Sequence, residues 1–249
     1  MPDVTFRLEA ADRSVEASVH LPDEPLRPVE LLPVILSLTN AVVAMSEARV
    51  EESGAKTSCC AGCGACCRQL VPISDIEARH LAWLVAAMPE ERRARVVERF
   101  RAAVERSAEV LEAFHGTSGE AASQELVKAV DAYFKKGIAC PFLEEESCSI
   151  HAERPAVCRE YLVTSPAEHC ARLDHSKIES VVIPVTVSSA LTRFSDGRGT
   201  PEPRSMPLIE VLEWAAAHEG DPQPQLAAPR LFQNFMKLFL DEGAKEPRP

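Results

Sequence analysis

The sequence predicts a mainly α-helical fold with a small N-terminal β hairpin and an irregular core rich in cysteine. Three observations support this prediction. Apolar and polar residues alternate only near the N-terminus, apolar residues recur at helical spacing over much of the remaining chain, and eight of the nine cysteines fall into two groups. With 249 residues, 46% hydrophobic and 26% charged, the chain has the composition of an ordinary globular protein. It is long enough to bury a core in one or two domains.

The first predicted part, residues 1–58, is an N-terminal hairpin followed by a lead-in helix. In residues 4–21, apolar and polar residues alternate on both sides of a turn. One face of the hairpin would therefore carry Val4, Phe6, Leu8, Val15, Ala17 and Val19. From Leu31 to Met45 the apolar residues are spaced as in a helix. We expect this helix to end before Gly54, because glycine commonly follows the last helical turn.

The second predicted part, residues 59–175, is a cysteine-cluster metal-binding domain with an inserted helical hairpin. Ser74 and Glu77 have the spacing of a capping box, which predicts that a helix begins there. Two further amphipathic segments lie between residues 89 and 137, and they separate the two groups of cysteines.

The third predicted part, residues 176–249, is a C-terminal helical extension with a frayed tail. Residues 181–187 predict a strand, 208–217 a helix, 222–229 a linker and 231–240 a last helix. The Lys-, Glu- and Pro-rich end after Asp241 is expected to fray.

Charge and hydropathy exclude several classes of partner. The net charge of -11 opposes binding to a phosphate backbone, so we expect no nucleic acid. Apolar stretches such as residues 31–38 are much shorter than the ~20 residues that cross a bilayer, so we expect no membrane span. The N-terminus has neither a basic lead nor a continuous apolar region, and we expect a cytoplasmic protein whose cysteines stay reduced.

The first group of cysteines lies in residues 60–67 and comprises Cys60, Cys63, Cys66 and Cys67. Only Ala and Gly separate them. Small residues allow the unusual backbone conformations and the close N–H approach that a loop needs when it turns several sulfurs toward one centre. The spacing therefore predicts a metal-binding loop.

The second group follows the helical hairpin at regular short intervals and comprises Cys140, Cys148, Cys158 and Cys170. An isolated intracellular cysteine usually behaves as a small hydrophobe, but a cluster of this kind predicts metal ligation by all eight thiolates. Cys59 belongs to neither group and is predicted not to bind metal. His151 and His169 lie next to second-group cysteines, yet with eight sulfurs available we expect neither to be a ligand. The fold prediction thus includes an irregular, metal-organised cysteine core.

Four arginines lie beside these cysteines: Arg68, Arg154, Arg159 and Arg172. Four thiolates around one divalent zinc leave a formal charge of -2, which nearby cations would offset. Ordinary surface ion pairs account for any one of these arginines equally well.

The motifs resemble those of the YkgJ-type cysteine-cluster family, whose signature is CxxCxxCC. Residues 60–68 correspond to the signature with its following arginine, residues 140–143 and 148–151 to the middle blocks, 154–159 to the RPxxCR element and 170–172 to the last cysteine. The resemblance covers about residues 59–172. It implies a protein that chelates zinc or iron through these cysteines.

Two arrangements of metal satisfy the number of sulfurs. In the first, an iron–sulfur cluster takes Cys60, Cys63, Cys66 and Cys140 and a second site takes the other four, because a CxxCxxC loop with a remote Cys-Pro is similar to bacterial ferredoxin ligation. In the second, two tetrahedral zinc sites, or a zinc cluster with shared thiolates, hold the same loops. Adjacent Cys66 and Cys67 would crowd two independent zinc sites, which favours iron, but a bridged zinc cluster removes that objection.

Three classes of function follow. The chain is an iron–sulfur protein with a redox role, a structural zinc-binding interaction module without catalysis, or a thiol redox sensor. The sensor requires an exposed cysteine of low pKa, which the sequence does not identify. Neither a GxSxG motif nor a Walker loop is present, so hydrolase and nucleotide-binding functions have no support. The expected partner is a metal ion, and whether the chain is an enzyme stays undecided.

Overall fold

The computed structural model describes residues 3–10, 13–116, 122–200 and 202–243. In these ranges there are nine α-helices: α1 (Leu32–Glu52), α2 (Asp75–Ala86), α3 (Glu90–Gly116), α4 (Ala122–Lys135), α5 (Ala156–Glu160), α6 (Ala167–Ala171), α7 (Val187–Leu191), α8 (Val211–Ala217) and α9 (Ala228–Gly243). The strands are β1 (Asp3–Ala10), β2 (Arg13–His20), β3 (Pro25–Leu26), β4 (Pro72–Ser74), β5 (Leu143–Glu144), β6 (Ser147–Cys148), β7 (Ser205–Pro207) and β8 (Leu226–Ala227). They pair antiparallel as β1–β2, β3–β8, β4–β7 and β5–β6. The predicted mainly α fold with an N-terminal hairpin is confirmed.

The N-terminal hairpin has the register that the sequence predicts. Strands β1 and β2 are antiparallel, and their register sets three apolar pairs opposite each other: Val4 with Val19, Phe6 with Ala17 and Leu8 with Val15. Alternate residues of a strand lie on the same side. These six residues therefore share one face of the hairpin.

Helix α1 is the central helix of the largest core. It ends where Gly54, with φ of 80°, adopts the left-handed conformation. The N–H of Gly54 donates to the carbonyl of Glu51 and the N–H of Ala55 to that of Val50, which together form a Schellman motif. The buried side of α1 packs against α7 and α9, where Phe194 and Phe235 meet edge to face with ring centroids 5.2 Å apart. Residues from both ends of the chain therefore share this core, and the division into three parts stays a prediction.

The segment Pro28–Glu52 is long enough to cross a membrane, and an 18-residue window within it, with a mean hydropathy of 1.7, is apolar enough by composition. The apolar stretch 31–38 alone is too short to suggest a membrane-spanning length. The helix reaches that length because it continues through small and polar residues that carry little charge. In the structure, its Asn40 Oδ1 accepts a hydrogen bond of 2.7 Å from Arg159 Nη1. The helix thus packs as a core helix against polar as well as apolar groups.

Helices α2 to α4 form as predicted. The Ser74 hydroxyl accepts from the N–H of Glu77 at 3.3 Å, and the Glu77 carboxylate accepts from the N–H of Ser74 at 2.9 Å, which completes the capping box. Helices α3 and α4 pack together as a hairpin around buried Val110, Leu111 and Tyr133.

Two predictions for the C-terminal third are wrong. Residues 181–187 contain no strand, and the nearest β pairing is a single bridge between Val163 and Ser180. The buried Glu160 carboxylate accepts a hydrogen bond from the N–H of Val187, where α7 begins. Residues 222–229 are not only a linker, because β8 pairs with β3 and α9 already begins at Ala228. Both errors arise from partners that are distant in sequence. The predicted frayed tail lies largely outside the described residues, which end at 243, and α9 continues as far as that.

Candidate metal centre

All nine cysteines line a single cavity of about 430 Å³: Cys59, Cys60, Cys63, Cys66, Cys67, Cys140, Cys148, Cys158 and Cys170. None is in a disulfide. The two predicted groups of four, which are separated by the α3–α4 hairpin in sequence, therefore open onto the same space. Cys59, which we predicted not to bind metal, lines the cavity as well.

The first group is shaped by two short hydrogen-bonded turns. Gly62 has φ of 86°, and the N–H of Cys63 donates to the carbonyl of Cys60 at 3.1 Å. The chain then enters a 3-10 helix, Ala65–Arg68, in which the N–H of Cys67 donates to the carbonyl of Gly64 at 3.1 Å. The left-handed residue that the loop needs is a glycine, as the sequence indicated.

The second group is attached directly to the first by the backbone. The N–H of Cys140 donates to the carbonyl of Cys67 at 2.7 Å. Beyond it, the β5–β6 hairpin pairs Leu143 with Cys148 and so returns the chain to the cavity. Cys158 lies on α5 and Cys170 on α6, which packs against the 3-10 helix Ala65–Arg68.

An ion pair between Arg68 and Glu146 joins the β5–β6 hairpin to the first cysteine loop. The Arg68 guanidinium donates to both carboxylate oxygens of Glu146, at 2.9 and 2.5 Å, and also to the carbonyl of Gly64 at 2.9 Å. Gly64 lies close to the same hairpin, since a Cβ built there would be 2.8 Å from Leu143 Cδ1 and 3.3 Å from the Cα of Glu146. The lack of a side chain at Gly64 is therefore what lets the two loops approach.

We expect Gly64→Ala to lower the free energy of unfolding by about 1–2 kcal/mol, because the added methyl overpacks the contact with Leu143 and displaces Glu146 from Arg68. Chemical denaturation measures the change. Gly220→Ala is the control, since a Cβ there meets nothing within 4 Å. Equal effects of the two substitutions would show that a side chain at position 64 does not destabilise the fold through the close approach of the two loops.

Three half-buried thiols of this cavity are poor acids. A hydrogen bond that the Cys66 thiol donates to Cys67, together with burial, raises the pKa of Cys66 far above its ordinary value. Burial raises the pKa of Cys140 to about 12 and that of Cys158 well above the ordinary range. Thiolates here require a cation to compensate their charge, and thiolate is the form that binds metal. The donor set therefore fits zinc or iron, both of which accept sulfur ligands.

The side chains are near one another without being arranged as ligands. Within the described ranges, no three His, Cys, Asp or Glu side chains form a group that could hold a metal ion. Burial is the main reason that the pKa values of Cys59, Cys140, Cys148, Cys158 and Cys170 are raised, and negative charge on Cys66 adds to each rise. The ligand set of eight cysteines stays a prediction, and so does its division into two groups of four.

The cavity also has polar wall residues that the sequence did not single out. Gln69 Nε2 donates to the Tyr161 hydroxyl at 3.3 Å, and Tyr161 in turn contacts Cys170. Glu47 reaches the wall from α1. Isolated residues of these types carry no motif, so only the fold could reveal them. Of the two histidines weighed as ligands, His151 lines the cavity, whereas His169 Nδ1 lies 3.0 Å from the carbonyl of Lys177.

A buried glutamate holds the helix that carries Cys158. Glu77 is 3% exposed. Its Oε1 accepts from the N–H of Ala156 at 2.8 Å, and its Oε2 accepts from the N–H and the hydroxyl of Ser74 at 2.9 and 2.8 Å. One carboxylate thus joins the start of α2 to the start of α5.

We expect Glu77→Ala to lower the free energy of unfolding by about 3 kcal/mol, because it leaves buried donors without acceptors. Glu77→Gln should lower the free energy of unfolding by less, since the amide oxygen can still accept a hydrogen bond. Chemical denaturation measures both changes. Glu109→Ala, at a side chain that is 90% exposed, is the control and should be nearly neutral. Wild-type stability in the Glu77→Ala protein would contradict the role given to this carboxylate.

A mainly helical scaffold that brings nine thiols to one cavity defines a cysteine-rich metal-binding domain. Residues 59–177 match the model of the family described as "CxxCxxCC: Putative zinc- or iron-chelating domain". The resemblance seen in the motifs is thereby confirmed, and the family description names the two metals that we predicted, iron and zinc. No curated protein and no solved structure matches the chain.

Proposed function

We propose that the chain holds an iron or iron–sulfur centre on its cysteine thiolates and has a redox role. The observation that carries this proposal is the single cavity of about 430 Å³ onto which both cysteine groups open. One chamber with many sulfurs suits a polynuclear centre better than two closed mononuclear sites, each of which would have its own four ligands. When bound, an iron–sulfur cluster supplies one-electron transfer.

The walls of the cavity support this proposal. Between the cysteines lie buried Leu70, Phe142, Ile150 and Leu208. Phe142 is held in place by an edge-to-face contact with Phe100, with ring centroids 5.3 Å apart. Apolar walls restrict water, and solvent exposure is one of the factors that set the reduction potential of such a centre.

A structural zinc site is the second candidate function, because the family description names zinc beside iron. The metal would then hold the irregular loops together, and the protein would act as an interaction module without catalysis. Zinc has no redox chemistry, so the two functions differ in a measurable property.

Elemental analysis and an absorption spectrum of protein purified without oxygen test the proposal. We expect iron with sulfide, and a brown colour that dithionite bleaches. A colourless protein with stoichiometric zinc would replace the redox function by the structural one. Protein that binds neither metal, even when zinc or iron is added to it, would overturn both.

We also propose that the protein works in the cytoplasm with a metal ion as its partner and without nucleic acid or membrane. Nine unpaired thiols suit a reducing compartment, and the net charge of -11 opposes a phosphate backbone. The three-part division at residues 58 and 175 belongs to the same proposal, with the metal-binding domain in the middle part.

A further inference from the structure

The four arginines beside the cysteines have different surroundings. Arg68 is paired with Glu146. Arg159 is buried and donates to Asn40 Oδ1 and to the carbonyls of Ala152 and Arg154. Its three side-chain hydrogen bonds thus all go to oxygen atoms, as do those of Arg68.

The other two arginines differ in their position relative to the cavity. Arg172 is exposed and is not on the cavity wall, whereas Arg154 lines it. Among the wall residues that the structure describes, Arg154 is the one Lys or Arg. The sequence placed all four arginines near cysteines, and the fold brings Arg154 to the thiols.

Arg154 also lacks a partner for one buried donor. Its Nε is buried and has no hydrogen-bond partner among the described residues. The adjacent carboxylate, Glu153, lies 2.9 Å from His80 Nε2. A buried guanidinium donor is rarely left unpaired in a native protein, so each such donor needs an explanation.

We propose that Arg154 is a positioning residue that offsets the negative charge of the thiolate-bound metal centre. This inference rests on the proposed function. A centre with four thiolates on a divalent ion carries a formal charge of -2, and a cation on the wall of a low-dielectric cavity stabilises it. The N–H groups of Arg154, with the unpaired Nε among them, are then donors to sulfur, which is how residues around the ligands tune a metal site.

Metal competition against a chromophoric chelator tests the inference with the full chain. Metal-free wild type, Arg154→Gln, Arg154→Met, Arg154→Lys and the control Arg172→Gln are each titrated with zinc alone and with iron(II) alone. We expect the two neutral variants to bind about tenfold to a hundredfold more weakly, as is typical when a residue that supports the ligands is lost. Arg154→Lys, which keeps the charge, and Arg172→Gln should stay within a few fold of wild type.

The outcomes separate this inference from the proposed function. If wild type takes up neither metal, the proposed function fails and the inference with it. If wild type binds and both neutral variants bind equally well, only the inference is overturned. Circular dichroism of the metal-free proteins shows whether the variants fold as wild type does. If both neutral variants lose structure that wild type keeps, Arg154 is a structural residue, which also overturns the inference.

Discussion

Cys63→Ser will lose metal and stability together. Cys63 lies in the hydrogen-bonded turn that begins at Cys60, and its thiol opens onto the cavity that all nine cysteines share. Binding of a structural metal contributes directly to the free energy of folding. The loss of one ligand therefore weakens both metal binding and the stability of the fold. We expect the metal content to fall to a small fraction of that of wild type and the melting temperature to fall by about 10 °C, as a loss of about 3 kcal/mol would cause in a chain of this size.

The matched control for Cys63→Ser is Cys59→Ser. Both residues line the cavity and are half-buried, but Cys59 is outside the two groups of four. We expect Cys59→Ser to keep its metal. Full metal content and an unchanged melting temperature in Cys63→Ser would show that the ligand assignment is wrong, and metal loss in Cys59→Ser would add Cys59 to the ligands.

Metal binding will release protons and will strengthen steeply as the pH rises. The thiols of Cys66, Cys140 and Cys158 have raised pKa values, with Cys140 at about 12. They are therefore protonated in the metal-free protein at neutral pH, whereas bound thiolates are not. For each proton displaced, the apparent affinity should increase about tenfold per pH unit. Lowering the pH correspondingly favours the protonated, metal-free form.

Calorimetric titration of the metal-free protein with zinc, in two buffers of different ionisation enthalpy, counts the released protons. We expect two or more protons for each zinc bound between pH 6 and pH 8. Cys63→Ser, with one fewer thiol, should release fewer. An affinity that does not change with pH would mean that the buried thiols do not bind the metal.

Local patterns in the sequence predicted much of the fold. The capping box of Ser74 and Glu77 marked the start of α2, and Gly54 marked the end of α1, because these motifs act within a few residues. The cysteine spacing indicated one metal-binding domain, and the structure brings both groups to one cavity.

Contacts between distant residues could not be predicted in this way. Nothing near Arg68 in the sequence points to Glu146, and nothing near Cys67 points to the N–H of Cys140. The strand predicted for residues 181–187 failed for the same reason, since the Glu160 carboxylate directs the chain into α7. Periodicity reports which residues are apolar, whereas these contacts depend on how the chain folds back.

X-ray absorption at the metal edge tests the central claim, that thiolates from both cysteine groups bind metal in the shared cavity. Wild-type protein is compared with Cys63→Ser and with Cys148→Ser, one variant for each group. We predict a first shell of sulfur atoms alone, at about 2.3 Å, that is altered in both variants. A first shell of nitrogen or oxygen, or a shell that neither substitution changes, would contradict the account.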